Sequence, residues 1–213
     1  MKNSIRYFCF EIISIILLIL STINVYAASE AQKKEFINNH SEILKSIKEC
    51  TNCIKKKGDI RIDFLNHITQ YNNIEICFSE NEIKYSDKKE IRNFAKELIR
   101  NSMNCNTEVN ELLYSINKNC LMNSELEEKY INEYIKLYNK MILNIECKNY
   151  GDSIEKIFIT SSIKHHEYII ELTDAFCKYS DDKETIEIAK DIKNKNSKEI
   201  KKLTNILKNL DSK

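Results

Sequence analysis

The chain has 213 residues, with 33 basic and 32 acidic side chains that leave a formal charge of +1. That balance excludes a surface made to attract nucleic acid or anionic membrane, which needs blocks of one sign. Proline is absent and glycine occurs only at Gly58 and Gly151; with so few residues that break helices, the expected class is all-α.

Residues 1–27 read as an export signal. Lys2 and Arg6 form a positive start, Ile12 to Leu20 is apolar except for Ser14, and Val25-Tyr26-Ala27 offers a cleavage site. The apolar run is shorter than the roughly 20 residues of a membrane-spanning helix, and Glu11 lies in the same stretch. Cys9 lacks a lipobox before it. Cleavage after Ala27 would leave 186 residues carrying 31 basic and 31 acidic groups. The expectation is a protein exported to the periplasm or secreted, with no nucleic-acid partner and no membrane contact beyond the signal. A protein partner stays open, as does the oligomeric state.

Helical periodicity then predicts helices near 31–54, 60–83, 88–117, 125–147, 153–178 and 183–210. The first ends in Cys50-Thr51-Asn52-Cys53. A Cys-x-x-Cys at a helix C-terminus has the helix dipole against a thiolate, which favours structural disulfides over thiol redox chemistry. An exported chain retains disulfides, so Cys50, Cys53, Cys77, Cys105, Cys120, Cys147 and Cys177 are all disulfide candidates. Their odd number leaves at least one thiol over.

Shifting the sequence by 94 residues aligns Lys84-Tyr85-Ser86-Asp87 with Lys178-Tyr179-Ser180-Asp181. The same ungapped shift aligns Phe64 with Phe158, Ala95-Lys96 with Ala189-Lys190, and Cys53 with Cys147. Residues 28–118 and 119–213 therefore read as two tandem three-helix repeats that together form one bundle. Ser-Asp at 86–87 and 180–181 followed by Glu90 and Glu184 suggests capping boxes. Gly58 and Gly151 mark breaks ahead of the middle helices. The Lys-rich tail, Lys190 to Lys208, is interleaved with Glu and Asp and reads as a solvated face.

Two heptad-like stripes in the second unit hold polar residues where apolar ones pack better. Ile154, Phe158, Ser161, His165, Tyr168 and Leu172 form one; Ala189, Ile192, Asn196, Glu199 and Leu203 form the other. Folding the hairpin at Ser180-Asp181 brings His165, His166, Asn196 and Glu199 to nearly one level. A buried Glu needs a partner. One reading is a structural hydrogen bond from His165 to Glu199; the other is a transition-metal site on His165, His166 and Glu199. The first unit has Tyr71, Asn72, Ser102 and Cys105 at these positions, so any site is single. The Glu-x-x-His pair of di-iron bundles is absent.

Phe158, His165-His166, Ile169-Ile170-x-Leu172, Ala189-x-x-Ile192, Asn196 and Glu199-Ile200 resemble the pattern of the family called domain of unknown function 305. The resemblance covers about 60–115 and 154–210. It implies a ferritin-like antiparallel helical bundle, often with the pattern doubled and commonly exported in bacteria, and in some members an association with copper. This chain has Asn196 where the family has Gln, and only Met103, Met122 and Met141 follow Ala27. The sequence thus favours a non-enzymatic structural or binding role. A periplasmic metal-binding protein is the alternative, and a thiol redox protein centred on Cys50 and Cys53 is the third reading.

Overall fold

In a computed structural model the described residues are 29–49, 56–116, 123–146 and 153–212. The segment 1–27 expected to be a signal, Gly151 and the cysteines at 50, 53, 120 and 147 lie outside them. The described residues form helices without strands: α1 (29–49), α2 (Ile60–Tyr85), α3 (Lys89–Ile116), α4 (Ser124–Glu146), α5 (Ile154–Tyr179) and α6 (Lys183–Asp211). The all-α class is thereby established.

Helix ends follow from local chemistry. Gly58 takes a φ of 86°, a left-handed turn open to glycine, and Asp59 then caps α2 by accepting from the Arg61 N–H. Ser153 and Asp182 cap α5 and α6 through the N–H groups of Lys156 and Thr185. The capping expected at 86–87 and 180–181 falls differently. Ser86 and Ser180 close the preceding helices, their N–H groups donating to Glu82 O and Phe176 O. One further extended residue then separates Asp181 from the helix, so Asp182 is the cap.

Burial sorts the helices into inner and outer ones. α3 and α6 bury narrow stripes, Ile91, Phe94, Ala95 and Leu98 on one and Ala189, Ile192 and Leu203 on the other, and expose charge elsewhere, as outer helices do. α2 and α5 are buried on most sides. α2 packs on α3 and α5, while α5 packs on α6 and α4. Phe64 of α2 stacks on Phe176 of α5 with ring centroids 4.2 Å apart, and Tyr130 of α4 meets Phe176 edge-on. α1 docks through Phe36 and His40 against Tyr85 and Phe78, and its Ile47 carbonyl accepts from Tyr138 Oη of α4.

The ends of α2 and α5 are 94 residues apart, as are the starts of α3 and α6. Two ion pairs occupy corresponding places with their charges exchanged: Arg61 with Asp182 at 3.7 Å and Lys88 with Glu155 at 3.6 Å. Pairing two first units would set Arg61 against Lys88, and pairing two second units would set Glu155 against Asp182. Only the two different halves are complementary. Lys88→Glu is expected to lower the melting temperature, and adding Glu155→Lys to restore most of the loss. Simple additivity in the double variant would show that the two sites are uncoupled.

Candidate functional site

His165 and His166 are adjacent on α5, so their side chains point about 100° apart. One faces α2 and the other reaches α6. His165 is fully buried beside Tyr71 and Phe78, and its Nε2 lies 3.7 Å from Oε2 of Glu75 on α2. His166 Nε2 lies 4.0 Å from the same oxygen. Its Nδ1 is 2.6 Å from Asn196 Oδ1, while Asn196 Nδ2 donates to the Ile192 carbonyl. That second bond turns the amide oxygen toward the ring, so in the neutral imidazole Nδ1 carries the proton and Nε2 presents a lone pair. This is the tautomer that a metal-ligating histidine uses.

Glu75 Oε1 accepts from Ser162 Oγ at 3.0 Å. Glu199 Oε1 accepts from Asn101 Nδ2 at 3.2 Å and Lys202 Nζ at 3.4 Å. Five neighbouring buried atoms have no hydrogen-bond partner: Glu75 Oε2, both ring nitrogens of His165, His166 Nε2 and Glu199 Oε2. Each such atom costs about 1–3 kcal/mol, and native interiors hold few of them. Burial pushes the Glu75 carboxyl up, with His166 and Ser162 drawing it back in part and Glu199 raising it further. Burial, then the neighbouring His166, holds His165 well below the ordinary imidazole range. The Glu75 carboxylate therefore calls for a proton or a cation beside it. Among the described residues no group of three or more His, Cys, Asp or Glu side chains is arranged to hold a metal ion; the donors stand close without forming a finished cage.

Beside the cluster a cavity of about 350 Å³ lies between α3 and α6, lined in part by His166, Asn196 and Glu199. Opposite them stand Asn72, Ser102 and Cys105, the residues 94 positions earlier in the same order. Every lining residue falls into such a pair, seven pairs in all. Equivalent faces of the two halves meet here with different chemistry. Lys195–Glu108 at 3.0 Å and Lys202–Glu97 at 2.9 Å bridge the gap between α6 and α3.

The structure brings His166 and Asn196 together but does not form the expected His165–Glu199 bond. Glu199 turns to Asn101 and Lys202, whereas His165 points away from α6 toward Glu75. The carboxylate beside the imidazoles comes from the first half of the chain, and sequence reasoning missed it. Its signal was the stripe Ile68, Tyr71, Glu75, Phe78 and Glu82 at spacings of three and four, all buried to within 1%. The position 94 residues after Glu75 is Ile169, so comparing the two halves did not expose it.

Of the cysteines proposed for disulfides, Cys77, Cys105 and Cys177 are free thiols. They sit on different helices, and burial pushes all three up from the ordinary thiol range, the reverse of an activated nucleophile. Cys50, Cys53, Cys120 and Cys147 lie outside the described residues.

Three further buried groups titrate far from their ordinary values. Burial, then the hydrogen bond and charge of Glu127, pushes Asp63 up to about 7, and burial pushes Glu82 up to about 8. Burial pushes His67 down to about 3. A raised carboxyl favours the fold while it is protonated, and that contribution disappears as pH climbs through its folded value. A depressed histidine favours the fold above its ordinary pKa of about 6.5, and the contribution is lost as pH falls toward the folded value. Stability measured by urea unfolding should therefore be greatest in mildly acid solution and decline from pH 6.5 to 8. A steady rise across that interval would contradict these assignments.

Residues 155–213, spanning α5 and α6, match the family model described as Domain of unknown function (DUF305). The structure is similar to that of CopM in the Cu(II)-bound form, with a TM-score of 0.50 and 16% identity, covering 70% of this chain and 97% of that one. At that identity the likeness is one of fold. No curated protein matches the chain.

Proposed function

We propose that this chain is an exported, non-enzymatic helical protein that takes up a divalent transition-metal cation between α2, α5 and α6. The observation that carries the reading is the set of five unpartnered buried atoms on Glu75, His165, His166 and Glu199. Among them the Nε2 atoms of His165 and His166 lie 3.7 and 4.0 Å from Glu75 Oε2. A cation there would neutralise the buried carboxylate and use the lone pair that Asn196 fixes on His166. The family match falls on the helices bearing both histidines and Glu199, and the similar fold is known with Cu(II) bound.

The donor set decides which ion suits. Met103 is 58% exposed and Met141 is buried in the core, and neither lines the cavity. Imidazole with carboxylate favours Cu(II) or Zn(II), whereas Cu(I) prefers thioether and thiolate. Glu75, Glu199, His165 and His166 are the donors that would have to draw together to hold the ion, and the bound ion would act as a fixed positive charge in the core. Titration of the metal-free protein with Cu(II) and Zn(II) tests this. Binding at micromolar or lower concentration, weakening as pH falls and protons compete for the ligand groups, is expected. No binding at that level would leave the cluster a structural network, the reading that Ser162–Glu75 and His166–Asn196 also fit.

A further inference from the structure

We infer that the groove between α1 and α2 binds an amphiphilic organic cation, an ammonium group carried on an apolar chain. The groove has a volume of about 620 Å³, within the roughly 300–1,000 Å³ of small-molecule sites. Neither Glu75, Glu199 nor either histidine of the cluster lines it, and the inference stands independently of the proposed metal binding.

Comparing the two halves shows why the groove exists. α1 and α4 are counterparts: Phe36, His40, Leu44 and Ile47 are buried on one, and Tyr130, Tyr134, Tyr138 and Met141, each 94 residues later, on the other. Between α4 and α5 the corresponding space is filled. Lys140 pairs with Glu171 at 2.9 Å and lies over the Tyr168 ring, whose hydroxyl accepts from Asn144. In the first half the positions of Lys140, Tyr168 and Glu171 hold Ser46, Ile74 and Cys77, and all three line the groove. The ring and the ion pair that close one half are missing from the other, so the space stays open.

The rim indicates the occupant. Apolar surface comes from Ile43, Ile47, Ile74 and Cys77, and the charged residues are Glu42, Glu80 and Lys84. Glu42 and Glu80 are exposed and form no ion pair among the described residues. The counterpart of Glu80 is Asp174, which pairs with Lys193; the first half has Ile99 in place of that lysine. Lys84 sits over the Tyr85 ring, 4.7 Å from its centroid. Asn39, Gln70 and Asn81 each direct an amide N–H away to Tyr85 Oη, Tyr138 Oη and the Phe36 carbonyl, while Asn81 Oδ1 is buried without a donor. Ser46 and Asn73 complete the lining, and each both donates and accepts. The charge free to act on a ligand is therefore negative. An ammonium ion meets the two carboxylates while its chain covers the isoleucines, and an anion of the same shape meets repulsion.

Calorimetric titration of the full chain with n-octylamine at pH 7, and with n-octanoate as a chain of opposite charge, tests the inference. Octylamine is expected to bind with a dissociation constant of about 1 mM or lower, roughly 10-fold or more tighter than octanoate. It should also slow alkylation of Cys77 by iodoacetamide, read by mass mapping. Ser46→Lys with Ile74→Tyr and Cys77→Glu installs the second half's residues and should close the groove to octylamine. Glu42→Gln with Glu80→Gln changes only exposed side chains, so it should melt as the parent does and lose the preference for the amine. Octanoate binding to the parent as tightly as octylamine, or no octylamine binding below about 10 mM, would overturn the inference. An amine preference that survives in the glutamine variant would overturn it equally.

Discussion

Glu75→Gln is expected to lower Cu(II) affinity by about 100-fold or more while the melting temperature stays level or rises. The amide has the volume of the acid and can still accept from Ser162 Oγ, so packing on α5 is preserved. What disappears is the one group in the cluster that needs a proton or cation beside it. Even outer partners of metal ligands are worth roughly 10–100-fold in affinity, and a carboxylate that contacts the ion directly should exceed that range. Stability moves the other way, because burial raises the Glu75 pKa and a neutral amide avoids the cost of burying a charge. Calorimetric titration beside a thermal melt gives both numbers. Unchanged affinity in a folded variant would remove Glu75 from the site and with it the α2 contribution.

Phe64→Ala is expected to cost about 3–5 kcal/mol, the largest stability loss of any variant considered for this protein. Phe64 and Phe176 are buried to within 1% and stack at 4.2 Å across α2 and α5, one of the contacts that join the two halves of the chain. Truncation removes the aromatic pair and leaves a cavity that Tyr130, already edge-on to Phe176, cannot fill by a rotamer change alone. For a chain of this size the loss corresponds to a melting temperature lower by roughly 6–20 °C. Loosening the α2–α5 interface also loosens the approach of Glu75 to the two histidines on the same pair of helices, so metal affinity should fall with stability here, unlike in Glu75→Gln. A loss below about 1 kcal/mol would mean that the halves are held together elsewhere.

Much of the fold was legible because helix formation is local. Long periodic runs between Gly58 and Ser86, or between Ser153 and Ser180, predicted α2 and α5 to within two residues, and the 94-residue offset predicted matching ends. The site was legible only on the side that one hairpin could place. His166 and Asn196 are equidistant from the turn at Asp181, so counting residues brings them level. Counting does not tell which of two adjacent histidines faces α6. That depends on the rotation of α5, which is fixed by what it packs against on its other sides.

The sequence by itself determined an all-helical chain, the extents of α2 and α5 and the pairing of α5 with α6, since these follow from side-chain period and short turns. Tertiary structure alone decided that Glu75 of α2, about 90 residues away in the chain, stands against His165 and His166. It also decided that the equivalent faces of the two halves enclose one polar cavity. The reason is that the α2–α5 interface is set by the summed packing of many side chains, Phe64 on Phe176 foremost, and no local pattern encodes which long-range partner that sum selects.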